Sequence, residues 1–135
     1  ARKLDNSIPA ELLPNIRQLA EWLQVLRDRL SQRYGKPMPI FITSGFRGAE
    51  LNKAVGGSST SAHCKGLAAD IQVRGLEPAG VVYFIKQHMQ DWPIDQVIDE
   101  DDGRAKWTHI GLAPAPRGQF LVARKVDGKM RYALA

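Results

Sequence analysis

The sequence predicts an α+β fold, a mainly antiparallel sheet packed by two main helices. Two stretches carry the three- and four-residue apolar spacing of a helix, one opening at Pro14 and the other at Ala79. Between and after them run short β-branched or alternating segments. The last two of these flank Asp127-Gly128, a strong hairpin signal. At 135 residues the chain suits a single domain, 1–135, long enough to bury most of its apolar surface.

Taken in order, residues 1–8 read as a polar lead-in, with Ser7 placed to cap a first turn containing Pro9. From Pro14, the residues Ile16, Leu19, Ala20, Leu23, Leu26 and Leu30 form one stripe, while Arg17, Glu21, Gln24, Arg27 and Asp28 take the other side. This amphipathic helix should end near Tyr34, capped by Gly35, with Pro37 preventing continuation. Its stripe reads as core packing. Pro39 to Thr43 reads as a strand leaving into Ser44-Gly45-Phe46-Arg47, and Ala49 to Val55 as a short helix. Gly56 to Ser61 is a loop too short for a domain linker. Leu67 to Val73 is a buried strand, broken by Gly75 to Pro78, and Ala79 to Met89 a helix with Val82, Ile85 and Met89 on one face. A turn at Asp91-Trp92-Pro93 leads to a strand over Gln96 to Glu100. The chain turns at Asp101 to Arg104 and returns through Trp107 to Leu112. After the breakers Pro114, Pro116 and Gly118, Phe120 to Lys125 and Met130 to Leu134 form the terminal hairpin.

Composition narrows the function classes. With 44% hydrophobic and 24% charged residues the chain is ordinary for a soluble globular protein. No apolar run approaches the roughly 20 residues of a membrane-spanning helix, so no membrane span is expected. The first residues, Ala1-Arg2-Lys3-Leu4-Asp5, lack the apolar core of a secretory signal. That fits a chain held in the cytoplasm until released by cell lysis, and equally one that is mature or trimmed. A net charge of +5 and a pI near 9.6 favour an anionic partner. The basic residues are scattered among acids with no helix-turn-helix or RNA-binding aromatics, so nucleic acid is not the expected one. Cys64 is the only cysteine and forms no internal disulfide; it reads as a small filler beside His63 rather than a ligand or nucleophile.

The chemistry concentrates in Ser61-Ala62-His63-Cys64-Lys65-Gly66-Leu67-Ala68-Ala69-Asp70. An imidazole and a carboxylate stand seven residues apart, either side of a glycine and the small residues that enter a buried strand. These are the usual non-thiol ligands of zinc, which takes three protein ligands at a catalytic site. The third must come from His88 or His109, and His109 lies in the strand-like Trp107-Thr108-His109-Ile110-Gly111-Leu112. A single zinc held by His63, Asp70 and His109 is the working expectation, with His88 the competitor. Arg47, at a strand exit, offers a planar fork that matches a carboxylate bidentately. Ser61 is placed to cap or orient the segment carrying His63.

Ser-x-His-x-x-Gly-x-Ala-x-Asp, preceded by Ser44-Gly45-Phe46-Arg47 and followed by Trp107-Thr108-His109, resembles the zinc D-alanyl-D-alanine carboxypeptidase-like family. These are the M15 peptidases, relatives of the lysostaphin-type peptidases and the Hedgehog domain. The resemblance runs from about Ile40 to Leu112 and implies a Hedgehog/DD-peptidase-like fold. It also implies zinc ligation by His63, Asp70 and His109, with substrate bound by Arg47. Ser61 and Trp107, beside the ligands in the motif, are the further substrate-binding candidates.

Hydrolysis through such a zinc needs a general base near the metal. Many M15 enzymes carry an acid three positions before the last histidine, where this chain has Lys106. The phage-type branch and the Hedgehog domain carry a glutamate farther back, and Gln96-Val97-Ile98-Asp99-Glu100 resembles that arrangement. Glu100 is therefore the expected base, and strand register tests it. If Glu100 pairs with Trp107, Ile98 faces His109 and Glu100 shares its sheet face. If Glu100 pairs with Lys106 it points away, and Asp99 or Asp102 takes its place.

The resemblance thus implies a zinc metallopeptidase, a hydrolase of peptidoglycan stem peptides in the cell wall. It would act as a D,D-carboxypeptidase or as an endopeptidase of endolysin type. The rival from another class is a non-catalytic zinc-binding module of a wall or phage tail-assembly protein. A monomer is expected.

Overall fold

The computed structural model describes residues 6–55 and 61–135. Residues 1–5 of the anticipated 1–8 lead-in and residues 56–60 of the anticipated 56–61 loop lie outside the described residues. A single 3-10 turn, Ala10–Leu12, opens the described chain with Pro9 rather than Ser7 at its N-cap. Helix α1 follows over Leu13–Tyr34 and stops at Gly35, whose φ of 68° puts it in the left-handed region where a side chain is costly. Its buried stripe is Leu19, Trp22, Leu23, Leu26 and Leu30. Ala20, expected inside, is exposed, and Trp22 is fully buried in its stead. Both choices satisfy helical spacing, and the larger ring removes more apolar surface from water.

The strands are β1 (Ile40–Ser44), β2 (Ala68–Val73), β3 (Ile94–Asp101), β4 (Lys106–Leu112), β5 (Gln119–Val126) and β6 (Lys129–Leu134). Helices α2 (Ala49–Ala54) and α3 (Pro78–His88) complete the set, with a 3-10 turn at Ala62–Lys65. One six-stranded sheet forms in the order β1-β2-β4-β3-β5-β6. Four of its pairings are antiparallel, as expected, but β3 and β5 run parallel. The reason lies in residues 113–118, which cross the end of β3 instead of turning back beside β4. Backbone bonds from Ala113 N to Pro93 O and from Gly118 N to Ile94 O fix that crossing. Arg117 locks it with two bonds to the carboxylate of Asp95, at 2.8 and 2.7 Å. At the terminal hairpin Asp127 and Gly128 both have positive φ, 50° and 79°, as a two-residue hairpin turn matched to strand twist requires.

The sheet has one dry face. Ala69, Ile71 and Val73 of β2, Val97 of β3 and Ile110 and Leu112 of β4 join the α1 stripe and Val81, Val82, Phe84 and Ile85 of α3 in one core. Strand alternation sends Asp70, His109, Ile98 and Glu100 to the other face. No helix among the described residues is long and apolar enough to cross a membrane.

Candidate metal centre

Each member of the centre is placed by a different local device. His63 sits on the Ala62–Lys65 turn, whose first N–H groups need an acceptor. Ser61 supplies it, its Oγ accepting from His63 N at 3.2 Å. Helix α1 holds the far end of that turn, with Asn15 Nδ2 donating to Lys65 O at 2.9 Å. The turn then closes at Gly66, where φ is 70° and an added Cβ would stand 2.6 Å from Ile16 Cγ1. Gly66→Ala is therefore expected to destabilise the fold by about 1–3 kcal/mol. A urea melt checks this, and an unchanged midpoint would mean that Ile16 simply yields.

Asp70 and His109 are directly opposed across β2 and β4. On the other flank β1 changes register between Ile42 and Ser44, opposite Asp70. That irregularity delivers the Gly45 carbonyl to His63 Nδ1 at 2.8 Å. A carbonyl only accepts, so Nδ1 carries the proton and Nε2 is the nitrogen facing Asp70.

The outcome is a compact three-ligand group. His63 Nε2 lies 3.4 Å from Asp70 Oδ1, and His109 Nδ1 lies 3.0 Å from the same oxygen. The three ligand atoms fall within 4.8 Å of one another. A tetrahedral ion with bonds of about 2.0–2.1 Å spaces neighbouring ligands by about 3.3 Å, so the two imidazoles and the carboxylate fit zinc in kind and in spacing. Burial alone would raise the Asp70 pKa, but the neighbouring His109 and His63 side chains outweigh it and hold the carboxyl at about 2. The group thus keeps one negative charge facing two imidazoles at any ordinary pH. His88, the competitor, stands on α3 with its ring 4.7 Å from Phe84, outside the group.

The strand register decides where Glu100 points. Glu100 pairs with Trp107 and Ile98 with His109, so Glu100 lies on the face of His109 and Asp70. Burial raises its pKa above the ordinary carboxylate range, and the charges of His109, Asp70 and His63 all act on it. The two other acids are committed elsewhere. Asp99 is on the core face, buried, and bound to Arg124 Nη2 at 3.0 Å. Asp102 accepts the backbone N–H groups of Arg104 and Ala105 in the β3–β4 turn. Lys106, at the position where many relatives carry an acid, reaches away to Glu77 at 3.1 Å.

Arg47, Ser61 and Trp107 line one cleft with the three ligands and Glu100. Arg47 Nη2 approaches Ser61 Oγ at 3.4 Å, while its buried Nε has no partner among the described residues. Arg117, in the same cleft, is already paired with the carboxylate of Asp95. Arg47 is thus the lining arginine with no carboxylate partner among the described residues. Cys64 is half-buried beside the cleft with a free thiol, outside the ligand group.

Sequence reasoning missed two contributors. The Asn6 side chain brackets Arg47, donating to Phe46 O at 3.2 Å and accepting from Gly48 N. Tyr132, on β6, lines the cleft beyond Glu100. Neither residue stands out in a sequence. Asn6 acts 40 positions from its partner, and Tyr132 looks like any half-exposed strand tyrosine.

The Peptidase M15 family model matches residues 4–110, a span that includes Arg47, His63, Asp70, Glu100 and His109. No curated protein matches the chain. With well over half its length matched, and a group able to hold a metal ion inside the match, this chain belongs to the Peptidase M15 family.

Proposed function

We propose that this protein is a zinc metallopeptidase that hydrolyses peptide bonds in peptidoglycan stem peptides. The observation that carries the reading is the position of Glu100, on the sheet face of the His63–Asp70–His109 group and within reach of its charges. A non-catalytic zinc module has no need of a carboxylate desolvated at that point.

His63, Asp70 and His109 would hold the zinc, which when bound supplies Lewis acidity and lowers the pKa of water at its open position. Glu100 takes the proton of the attacking water on its carboxylate and passes it to the departing amide nitrogen. Arg47 binds a substrate carboxylate or carbonyl through its guanidinium donors. Ser61 orients both the His63 turn and the Arg47 guanidinium. Trp107, opposite Glu100 on β4, walls the cleft. One domain acting as a monomer suffices, with no nucleic acid partner and no membrane span.

Arg47→Lys is expected to lower kcat/KM by about tenfold to a hundredfold, the worth of a charge-assisted contact of roughly 1.5–3 kcal/mol. Zinc content and melting temperature should stay near wild type. Unchanged kinetics on every wall peptide would make Arg47 a structural partner of Ser61.

The deciding experiment is digestion of purified peptidoglycan by zinc-loaded protein, with fragments identified by mass. Shortened stem peptides indicate a carboxypeptidase, and split cross-links or released stems an endopeptidase of the lytic kind. An undigested wall, at low and high salt alike, would favour the non-catalytic module.

A further inference from the structure

The cleft does not stop at Glu100. Glu100 pairs with Ala123 of β5, and Ala123 pairs with Tyr132 of β6, so the three stand in one row on one face. Leu121, opposite Ile98, adds an apolar patch beside that row. Ala123 is fully buried although it lies on the face away from α1 and α3. It is the smallest member of the row, set between Glu100 and Tyr132. Tyr132 is close enough to Glu100 that burial, together with that carboxylate's charge, raises the phenol pKa. The whole β5–β6 hairpin also lies beyond the family match, which ends at residue 110.

The direction of the cleft gives this row a meaning. Arg47, just after β1 in the chain, is held against the His63 turn, its backbone N donating to His63 O at 3.1 Å, while Tyr132 lies on β6, at the far end of the strand order from β1, with His109 on β4 and Glu100 on β3 before it. From β4 to β6 are three strand spacings, about 14 Å, the length of about four extended residues.

We infer that Tyr132 and Leu121 form a substrate subsite for residues on the amino-terminal side of the scissile bond, making this chain selective for an oligopeptide over a dipeptide. The inference rests on the peptidase reading and on Arg47 gripping the carboxyl-terminal side. The Tyr132 ring packs on the aliphatic part of a residue beyond the first, and its hydroxyl donates to a backbone carbonyl there. An exposed tyrosine at an edge strand is well placed for this, since 58% of its surface is open to a ligand.

The test uses synthetic stem peptides that share the bond cut in the wall and grow by one residue at a time on its amino-terminal side. Zinc-loaded wild type should gain kcat/KM as the peptide lengthens. In Tyr132→Ala the ratio of the longest to the shortest peptide should fall about threefold to tenfold, the worth of one aromatic contact, and the change should lie in KM. Tyr132→Phe should keep most of the ratio, and it serves as the second variant if the alanine chain melts early. A wild type that cuts all lengths equally overturns the subsite alone, as does a Tyr132→Ala enzyme with an undiminished ratio. A kcat loss of equal factor at every length also overturns it, making Tyr132 a positioning residue for Glu100. A wild type that cuts neither peptides nor wall overturns the peptidase reading and this subsite with it.

Discussion

His63→Ala, Asp70→Ala and His109→Ala are each expected to lose the bound zinc and with it essentially all activity, whereas His88→Ala keeps both. Wild type should carry about one zinc per chain, since a single group able to hold a metal is assembled among the described residues. Metal content by itself can mislead, because adventitious ions cling to exposed histidines. Thermal stability gives a stricter measure. An ion that binds only the folded chain adds about 4.1 kcal/mol of stability when free zinc is 1,000-fold above Kd, or roughly 10–20 °C in melting temperature for a chain of this size. That rise should vanish in the three ligand variants and persist in His88→Ala. The metal-free proteins carry a second signature. The folded-state pKa of Asp70 is depressed to about 2 from 3.8. Its contribution is therefore present above pH 3.8 and is lost as pH falls toward 2. Asp70→Ala should flatten the acid stability loss over that window. A His109→Ala protein that retained full zinc and its thermal shift would sink the three-ligand assignment.

How much of this was legible follows the range of the interactions involved. The α1 stripe and the Asp127-Gly128 turn are local, and the sequence pattern placed them correctly, except that Trp22 is buried in place of Ala20 and Ile16 is only half-buried. The ligand group was legible because residue type restricts it so severely. The chain holds three histidines, and His88 lies on a helix packed to the core face. The parallel β3–β5 pairing was not legible. It depends on a crossing loop held by Arg117 and Asp95, two residues 22 positions apart whose charges are unremarkable in a row of mixed charges. Register lay between these cases. A six-residue or five-residue hairpin connection suits the same Asp101–Arg104 sequence, and only the fitted sheet chooses. It chooses the pairing in which Ile98, apolar and buried, faces His109 while Asp99 turns inward to Arg124. An isolated buried Asp99 would be costly, so the partner on β5 makes this register tolerable, and that partner is invisible from the hairpin alone.

Glu100→Gln is expected to keep zinc and fold while turnover falls by about 10²–10⁴, the usual worth of a positioned acid–base group. The amide has the shape of the carboxylate but cannot take a proton at working pH. In wild type the active form is the ionised one. The acid limb of the pH–rate profile should follow the ionisation of that carboxylate. The residual activity of the Gln variant should lack that limb. Stability moves the opposite way. A carboxyl whose folded-state pKa is raised favours the folded chain when protonated, and that contribution is lost as pH rises through the folded pKa. Metal-free Glu100→Gln should therefore melt no lower than wild type at neutral pH, with the difference closing on acidification below 4.5. Loss of activity paired with retained or increased stability is what separates a catalytic carboxylate from a structural one. Asp99→Asn provides the contrast. Its target is buried against Arg124 on the core face, so it should lower stability and leave the shape of the pH profile intact. If Glu100→Gln stays fully active, proton transfer at this centre runs through water without a protein base. The desolvation of Glu100 then serves substrate contact instead.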